Sequence, residues 1–244
     1  MALVGSEFDL SLRPSTDDLD RTGHGTACAD LVLQAAPGAT LLPIRVFGTR
    51  LETSLRVLLE GLSVARKAGA RVINMSLATT RKEFAAPLRR ACNDASADGI
   101  IIVAAKHNFA SVSYPSDFEC VIGAMVTPSA GEFSLLVRPN SRTDCELRRP
   151  APLVRTLARE RIRLDSNSLA AATVTGIVAR IVECYPASDL KQVRMHLAHM
   201  AALSAGLPGR WQGTGSRLPE DSTSSSEDRE AADPGMLREL PDRA

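Results

Sequence analysis

Three residues of this 244-residue chain have the types and setting for acyl-transfer chemistry. His24 lies between two glycines in RTGHGTACADLV (21–32), and an apolar helical pattern begins at once. Asn108 ends IIIVAAKHN (100–108), a buried-strand pattern running into a turn. Ser168 opens a small-residue helical pattern in SNSLAAATVTG (166–176). A serine hydroxyl is a weak nucleophile until a base within hydrogen-bond reach takes its proton. A helix N-terminus adds unpaired N–H groups and partial positive charge next to developing negative charge. An asparagine amide can donate to the oxyanion of a tetrahedral intermediate. Each residue alone also has a plainer reading: a glycine-flanked capping histidine, an asparagine closing its turn, a serine as helix N-cap.

The elements that must position these residues alternate between short apolar runs and longer helical patterns. Strands are expected at 2–4, 39–47, 70–77, 100–105 and 120–126, and helices at 26–36, 52–69 and 83–99. After residue 130 the signal weakens until two further helices, 168–185 and 188–203, the second capped by Ser188. Strands and helices in this alternation imply an α/β fold, a mainly parallel sheet with helices on both faces. Open sheets of this kind present their ligand sites beyond the carboxyl ends of the strands. His24 and Asn108 emerge there, and Ser168 at a helix start can join them.

Composition narrows the alternatives. The chain is 44% hydrophobic and 23% charged with a formal charge of +1, so it has no electrostatic footprint for nucleic acid. No stretch approaches the roughly 20 apolar residues that span a bilayer, and MALVGSEFDL lacks the form of a secretory signal. Cys28, Cys92, Cys120, Cys145 and Cys184 are odd in number and scattered, reading as free thiols in a reduced, cytoplasmic protein. His196 and His199 read as helix-surface residues and not as a metal pair, so no metal or cofactor is expected. The basic run LRRPAPLVRTLARERIR (147–163) could attract an acidic peptide, although such a run is more often a solvated face. One domain over 1–205 is expected, followed by a disordered tail at 206–244, rich in Gly, Ser, Pro and acid, with Trp211 its only large apolar residue.

The ordered set of motifs resembles the subtilisin-like serine peptidases. Gly23-His24-Gly25-Thr26 is similar to the family's GHGT, and Val103 to Asn108 to its VAAGN oxyanion strand-turn. Ser166 to Gly176 is similar to the nucleophile motif GTSMAAPHVAG, while VINMSL (72–77) resembles the substrate-flanking strand and YPS (114–116) with CVIGA the family's YPA…VIAVGA. The resemblance covers about residues 1–185. It implies a subtilisin-like fold, Ser168 as nucleophile, His24 as general base, Asn108 as oxyanion donor, and a peptide or protein as substrate.

The departures matter as much. The family's acid ends the first strand in a DTG or DSG turn, and aligning ALV with that strand places Gly5 where the aspartate belongs. Asp9 then falls on a second family acid that does not do chemistry. Glu7 is the nearest substitute acid, although alternate strand residues face opposite sides; Asp17, Asp18 and Asp20 also precede His24. Asp20 resembles a position that shapes substrate pockets. Ser166 and Asn167 replace Gly-Thr, Ala172 and Thr173 replace Pro-His, Ala78 replaces a glycine of the substrate strand, and His107 replaces the glycine before the oxyanion asparagine. The short segment before His24 leaves no room for a calcium-binding loop. Two functions follow: a narrow-specificity peptidase with a non-standard or missing acid, or an inactive relative that binds a peptide or partner protein in the same cleft.

Overall fold

The computed structural model describes residues 20–131, 133–138 and 144–206. Gly5, Glu7, Asp9 and the strand expected at 2–4 lie outside the described residues, as do Trp211 and residues 207–244. A five-stranded sheet has the order β1-β2-β3-β5-β4, from β1 (Val72–Met75), β2 (Ile101–Ala105), β3 (Val121–Pro128), β4 (Ser134–Val137) and β5 (Cys145–Arg149). Every pairing is parallel except that of β4 with β5. The sheet is therefore α/β in class, as the alternating pattern implied.

β2 shows why the apolar run IIVAA belongs at the centre. All five of its residues are buried, as a strand covered on both faces requires. Ile101, Val103 and Ala105 face a cluster with α4 (Asn167–Cys184) and α5 (Leu190–Gly206). Ile102 and Ala104 face the opposite cluster, with Leu58 and Leu62 of α2 (Leu55–Lys67) and Leu88 and Cys92 of α3 (Lys82–Ala97). The remaining helix, α1 (His24–Ala35), packs on α4. Their approach is close enough that a Cβ on Gly176 would lie 2.6 Å from Ala35 Cβ and 2.8 Å from the Val32 carbonyl oxygen. The small residues of 168–176 serve this contact.

Three expectations need correction. Residues 39–47 form no strand: Pro43 removes a ladder donor, and no partner strand lies beside them among the described residues. Their apolar side chains instead pack inward, Val46 and Phe47 joining the cluster of α2, α3 and β1. Ser166, not Ser168, is the N-cap of α4, its Oγ accepting from Leu169 N at 3.4 Å. Asp189, not Ser188, caps α5: its Oδ1 accepts from Gln192 N at 2.8 Å, and Gln192 Oε1 accepts from Asp189 N at 2.9 Å. Within the weak region after 130 lie β4, β5 and a separate hairpin of β6 (Leu153–Arg155) and β7 (Arg161–Arg163).

Candidate active site

His24 is the first residue of α1. Gly23 before it occupies the left-handed region (φ 77°), where glycine meets no Cβ penalty. No side chain of the N-cap residue closes this helix; Asp20 does so from outside. Its carboxylate accepts from the backbone N–H groups of Thr22 and Gly23 (both 3.0 Å) and Thr26 (2.7 Å), and from the hydroxyls of Thr22 (3.2 Å) and Thr26 (2.9 Å). Burial favours the neutral acid, but these hydrogen bonds outweigh it and hold the Asp20 pKa below the ordinary 3.8. The turn and first helical residues that aim His24 are thus tied to one anion.

The imidazole is buried, and Phe47 sits beside it with ring centroids 6.5 Å apart. Nε2 lies 3.2 Å from the Ser76 carbonyl oxygen, just beyond β1. A carbonyl only accepts, so Nε2 carries the hydrogen in this contact. Ser168, the second residue of α4 and also buried, donates from Oγ to the same carbonyl oxygen at 3.2 Å. The candidate base and nucleophile therefore share one acceptor and do not bond to each other. His24 Nδ1, the nitrogen that an acid would hold, is buried with no hydrogen-bond partner among the described residues.

Ser76 organises the rest of the centre. Its Oγ donates to the Ser168 carbonyl (2.8 Å), accepts from Asn74 Nδ2 (2.9 Å), and accepts from the Cys28 thiol (3.3 Å). Thr175 Oγ1 donates to Asn74 Oδ1 at 3.0 Å, which ties α4 to β1. Cys28 Sγ also stands 3.9 Å from His24 Nε2, one turn along α1. Burial lowers the affinity of His24 for a proton, but the Cys28 sulfur, the Ser76 carbonyl and the Asp20 charge outweigh it and raise the pKa above 6.5.

Asn108 lies in the turn after β2, half-buried. The chain just before it is joined to the start of α4 through Asn167, which is buried immediately before Ser168. Asn167 Nδ2 donates to the Lys106 carbonyl (3.1 Å) and its Oδ1 accepts from Val126 N (2.9 Å). One amide side chain thus fixes the start of α4 against the ends of β2 and β3. His107 Nδ1 accepts from the backbone N–H groups of Phe109 (3.2 Å) and Ala110 (3.1 Å), closing the turn that carries Asn108. The Lys106 ammonium pairs with the Asp117 carboxylate. On the other flank Arg149, buried, donates to Thr173 Oγ1 (2.7 Å) and pairs with Asp165 (3.0 Å), bracketing the loop that leads to Ser168.

Ser168 and His24 are thus brought to one point, with the Asn108 turn tied to the same helix start. The substitute acid expected at Glu7 lies outside the described residues. Sequence reasoning missed Ser76, Asn167 and Cys28 as members of the centre. Cys28 had a signal, since residues i and i+4 of a helix share a face. Of the two helix-surface histidines, His199 is exposed and His196 is half-buried and stacks on Tyr185 at 4.3 Å. Among the described residues no group of three or more His, Cys, Asp or Glu is placed to hold a metal, and no helix is long and apolar enough to cross a membrane.

A mostly parallel sheet with a buried serine and histidine sharing one carbonyl just beyond β1 defines an α/β protein with a serine–histidine centre. The model of the subtilase family matches residues 12–235, and the chain belongs to that family of serine peptidases, whose substrates are peptides or proteins. It is 29% identical over 201 residues to subtilisin DY of Bacillus licheniformis, an alignment spanning 75% of this chain and 71% of that protein. To subtilisin Savinase of Lederbergia lenta it is 28% identical over 222 residues, 81% of this chain and 80% of the relative. The M-protease of Shouchella clausii matches at 28% over 222 residues, 81% of this chain and 56% of that longer protein.

Proposed function

We propose that the protein is a slow serine endopeptidase with narrow specificity, in which Ser168 is the nucleophile, His24 the general base and Asn108 the oxyanion donor. The observation that carries this reading is the shared Ser76 carbonyl: both side chains stand 3.2 Å from one oxygen, so a side-chain rotation brings them into contact. The catalytic acid is non-standard or missing. Gly5 stands where the family's aspartate is expected, and Glu7 is the candidate to replace it. The helix dipoles of α1 and α4, both starting at the site, support the developing negative charge.

The same geometry explains why turnover is slow. To accept the Ser168 proton, Nε2 must first lose its own hydrogen to Nδ1. Nδ1 is buried without a partner among the described residues, so unless the segment before residue 20 supplies one that tautomer leaves an unsatisfied donor, a penalty of about 1–3 kcal/mol. An aspartate normally removes the penalty. The orphaned nitrogen also supports the second reading, an inactive relative holding a peptide or partner protein in the cleft. Labelling with a fluorophosphonate probe separates the two. Under the first reading the wild type labels and Ser168→Ala and His24→Ala do not; a folded wild type that never labels leaves the binding reading.

Five free thiols support a reducing, cytoplasmic setting. A peptidase domain over 1–205 followed by a tail at 206–244 remains the proposed division, and a near-neutral charge speaks against a nucleic-acid partner.

A further inference from the structure

The β6–β7 hairpin has a surface that the peptidase reading leaves unused. Its pairs are Leu153 with Arg163, Val154 with Ile162, and Arg155 with Arg161. Val154 is 1% exposed, packed among Cys28, Leu31 and Val32 of α1 and Leu169 and Ala172 of α4. Side chains alternate between faces along a strand, so Leu153, Arg155, Arg161 and Arg163 all share the outer face. Arg155 directly opposes Arg161 there, a like-charge cross-strand pair that destabilises a ladder unless an anion lies over it. Both are exposed, as are Arg159 and Arg163, and none of the four forms an ion pair among the described residues.

The hairpin that carries this basic face is anchored to α1. Asp30 of α1 accepts from Arg155 N (3.0 Å), and Gln34 of α1 donates to the Leu153 carbonyl (3.2 Å). Across the tip, Thr156 N donates to the Glu160 carbonyl (2.8 Å), and Arg159 is held at φ 64°, a region L side chains rarely adopt. Leu157, at that tip, lies 3.4 Å from where a Cβ on Gly23 would stand, beside His24. The hairpin tip therefore stands against the residue that precedes His24.

We propose that the outer face of β6–β7 is a docking surface for an acidic segment of the peptide substrate, flanking the His24 side of the cleft. This rests on the peptidase reading for the location of the cleft. Charge complementarity selects an acidic occupant. The exposed Leu153 on the same face and Leu157 at the tip favour a peptide with apolar residues over a nucleic acid, as does the chain's net charge of +1. The attraction is between exposed charges, so it weakens with salt.

The test is fluorescence anisotropy with full-length Ser168→Ala protein and labelled ten-residue peptides in which Leu alternates with Glu, Gln or Lys. The Glu peptide should bind at least tenfold more tightly than the Gln peptide at low salt. In Arg155→Glu/Arg161→Glu the preference should invert toward the Lys peptide, an outcome a misfolded protein cannot give. In the wild type the Glu peptide should also slow fluorophosphonate labelling of Ser168. Equal binding of the Glu and Gln peptides overturns the proposal, as does tighter binding of a ten-nucleotide single-stranded DNA. Absence of labelling in the wild type would instead sink the peptidase reading, and the anisotropy would still decide the docking.

Discussion

His24 Nε2 and Ser168 Oγ point at one atom, the Ser76 carbonyl oxygen, each from 3.2 Å, and not at one another. The proposed base and nucleophile, parked on a common acceptor, are near each other but not engaged. Engagement requires the imidazole to be neutral with its hydrogen on Nδ1, and the structure disfavours both conditions.

The first condition gives a pH profile. The Cys28 sulfur, the Ser76 carbonyl and Asp20 raise the His24 pKa against the opposing effect of burial. Only the neutral ring accepts a proton, so labelling or hydrolysis should rise with pH to a midpoint above 6.5. The stability sign runs the other way: a raised histidine pKa stabilises the fold below the unfolded value, and that contribution disappears as pH rises through the folded value. Replacing Cys28 by Val removes the strongest of the raising influences and leaves burial in place. The activity midpoint should then move to lower pH; an unchanged or higher midpoint in Cys28→Val refutes the coupling.

Asp20 makes a second prediction, about acid stability. Its pKa is depressed, so its contribution is complete above the unfolded value near 3.8 and is lost as pH falls through the lower folded value. Thermal melts of the wild type should therefore lose stability below about pH 4, and Asp20→Asn should flatten that part of the curve. Asp20→Ala, which removes an external cap of α1, should cost about 1 kcal/mol at neutral pH by analogy with other helix caps. It should also slow Ser168 labelling, because Gly23 and Thr26, the anchors on either side of His24, lose their acceptor.

Much of this was legible in the sequence because it is periodic. The buried run IIVAA and the small residues of 168–176 announced a central strand and a closely packed helix, and both are present. What was not legible depends on partners remote in sequence. The apolar run 39–47 has strand composition, but a strand exists only where another strand pairs with it. Ser166 and Ser168 look equivalent as caps; the extended backbone of Ser166 (φ −167°, ψ 167°) decides between them. The Ser76 carbonyl is a main-chain atom, which no residue type could signal. β6 and β7 were hidden because alternating arginines read as a solvated run.

Gly176 tests the packing between α1 and α4, the helices that carry His24 and Ser168. A Cβ there would meet Ala35 Cβ at 2.6 Å and the Val32 carbonyl oxygen at 2.8 Å, and backbone cannot yield cheaply. Alanine gains about 1 kcal/mol of helix propensity over glycine, but overpacking a tight contact costs typically 1–3 kcal/mol. Gly176→Ala should therefore lower the unfolding free energy, measured by denaturant titration. Adding Ala35→Gly should recover part of the loss, since it removes the nearer contact and leaves Val32. A stabilised single variant would show that α1 and α4 are less closely packed than described.

The last prediction concerns the acid. In subtilisin, a member of this family, loss of the catalytic aspartate alone lowers kcat by about 3 × 10⁴, against about 2 × 10⁶ for loss of serine or histidine. A chain with Ser168 and His24 intact but no acid should accordingly retain slow turnover that Ser168→Ala abolishes. Gly5→Asp would place a carboxylate where the motif alignment expects one, and the buried Nδ1 of His24, without a partner among the described residues, is the atom for it to hold. Its effect should be to fix the hydrogen on Nδ1, free Nε2 for Ser168, and raise the labelling rate by about two orders of magnitude or more, within the roughly 3 × 10⁴ that the acid contributes in subtilisin. Glu7→Gln discriminates the remaining case. If Glu7 already serves as the acid, Glu7→Gln should collapse labelling in the wild type and Gly5→Asp should add little. If the acid is absent, Glu7→Gln should change nothing and Gly5→Asp should activate. Failure of both variants to alter the rate would mean that the tautomer of His24 does not limit the reaction, and the orphaned nitrogen would no longer explain slow chemistry.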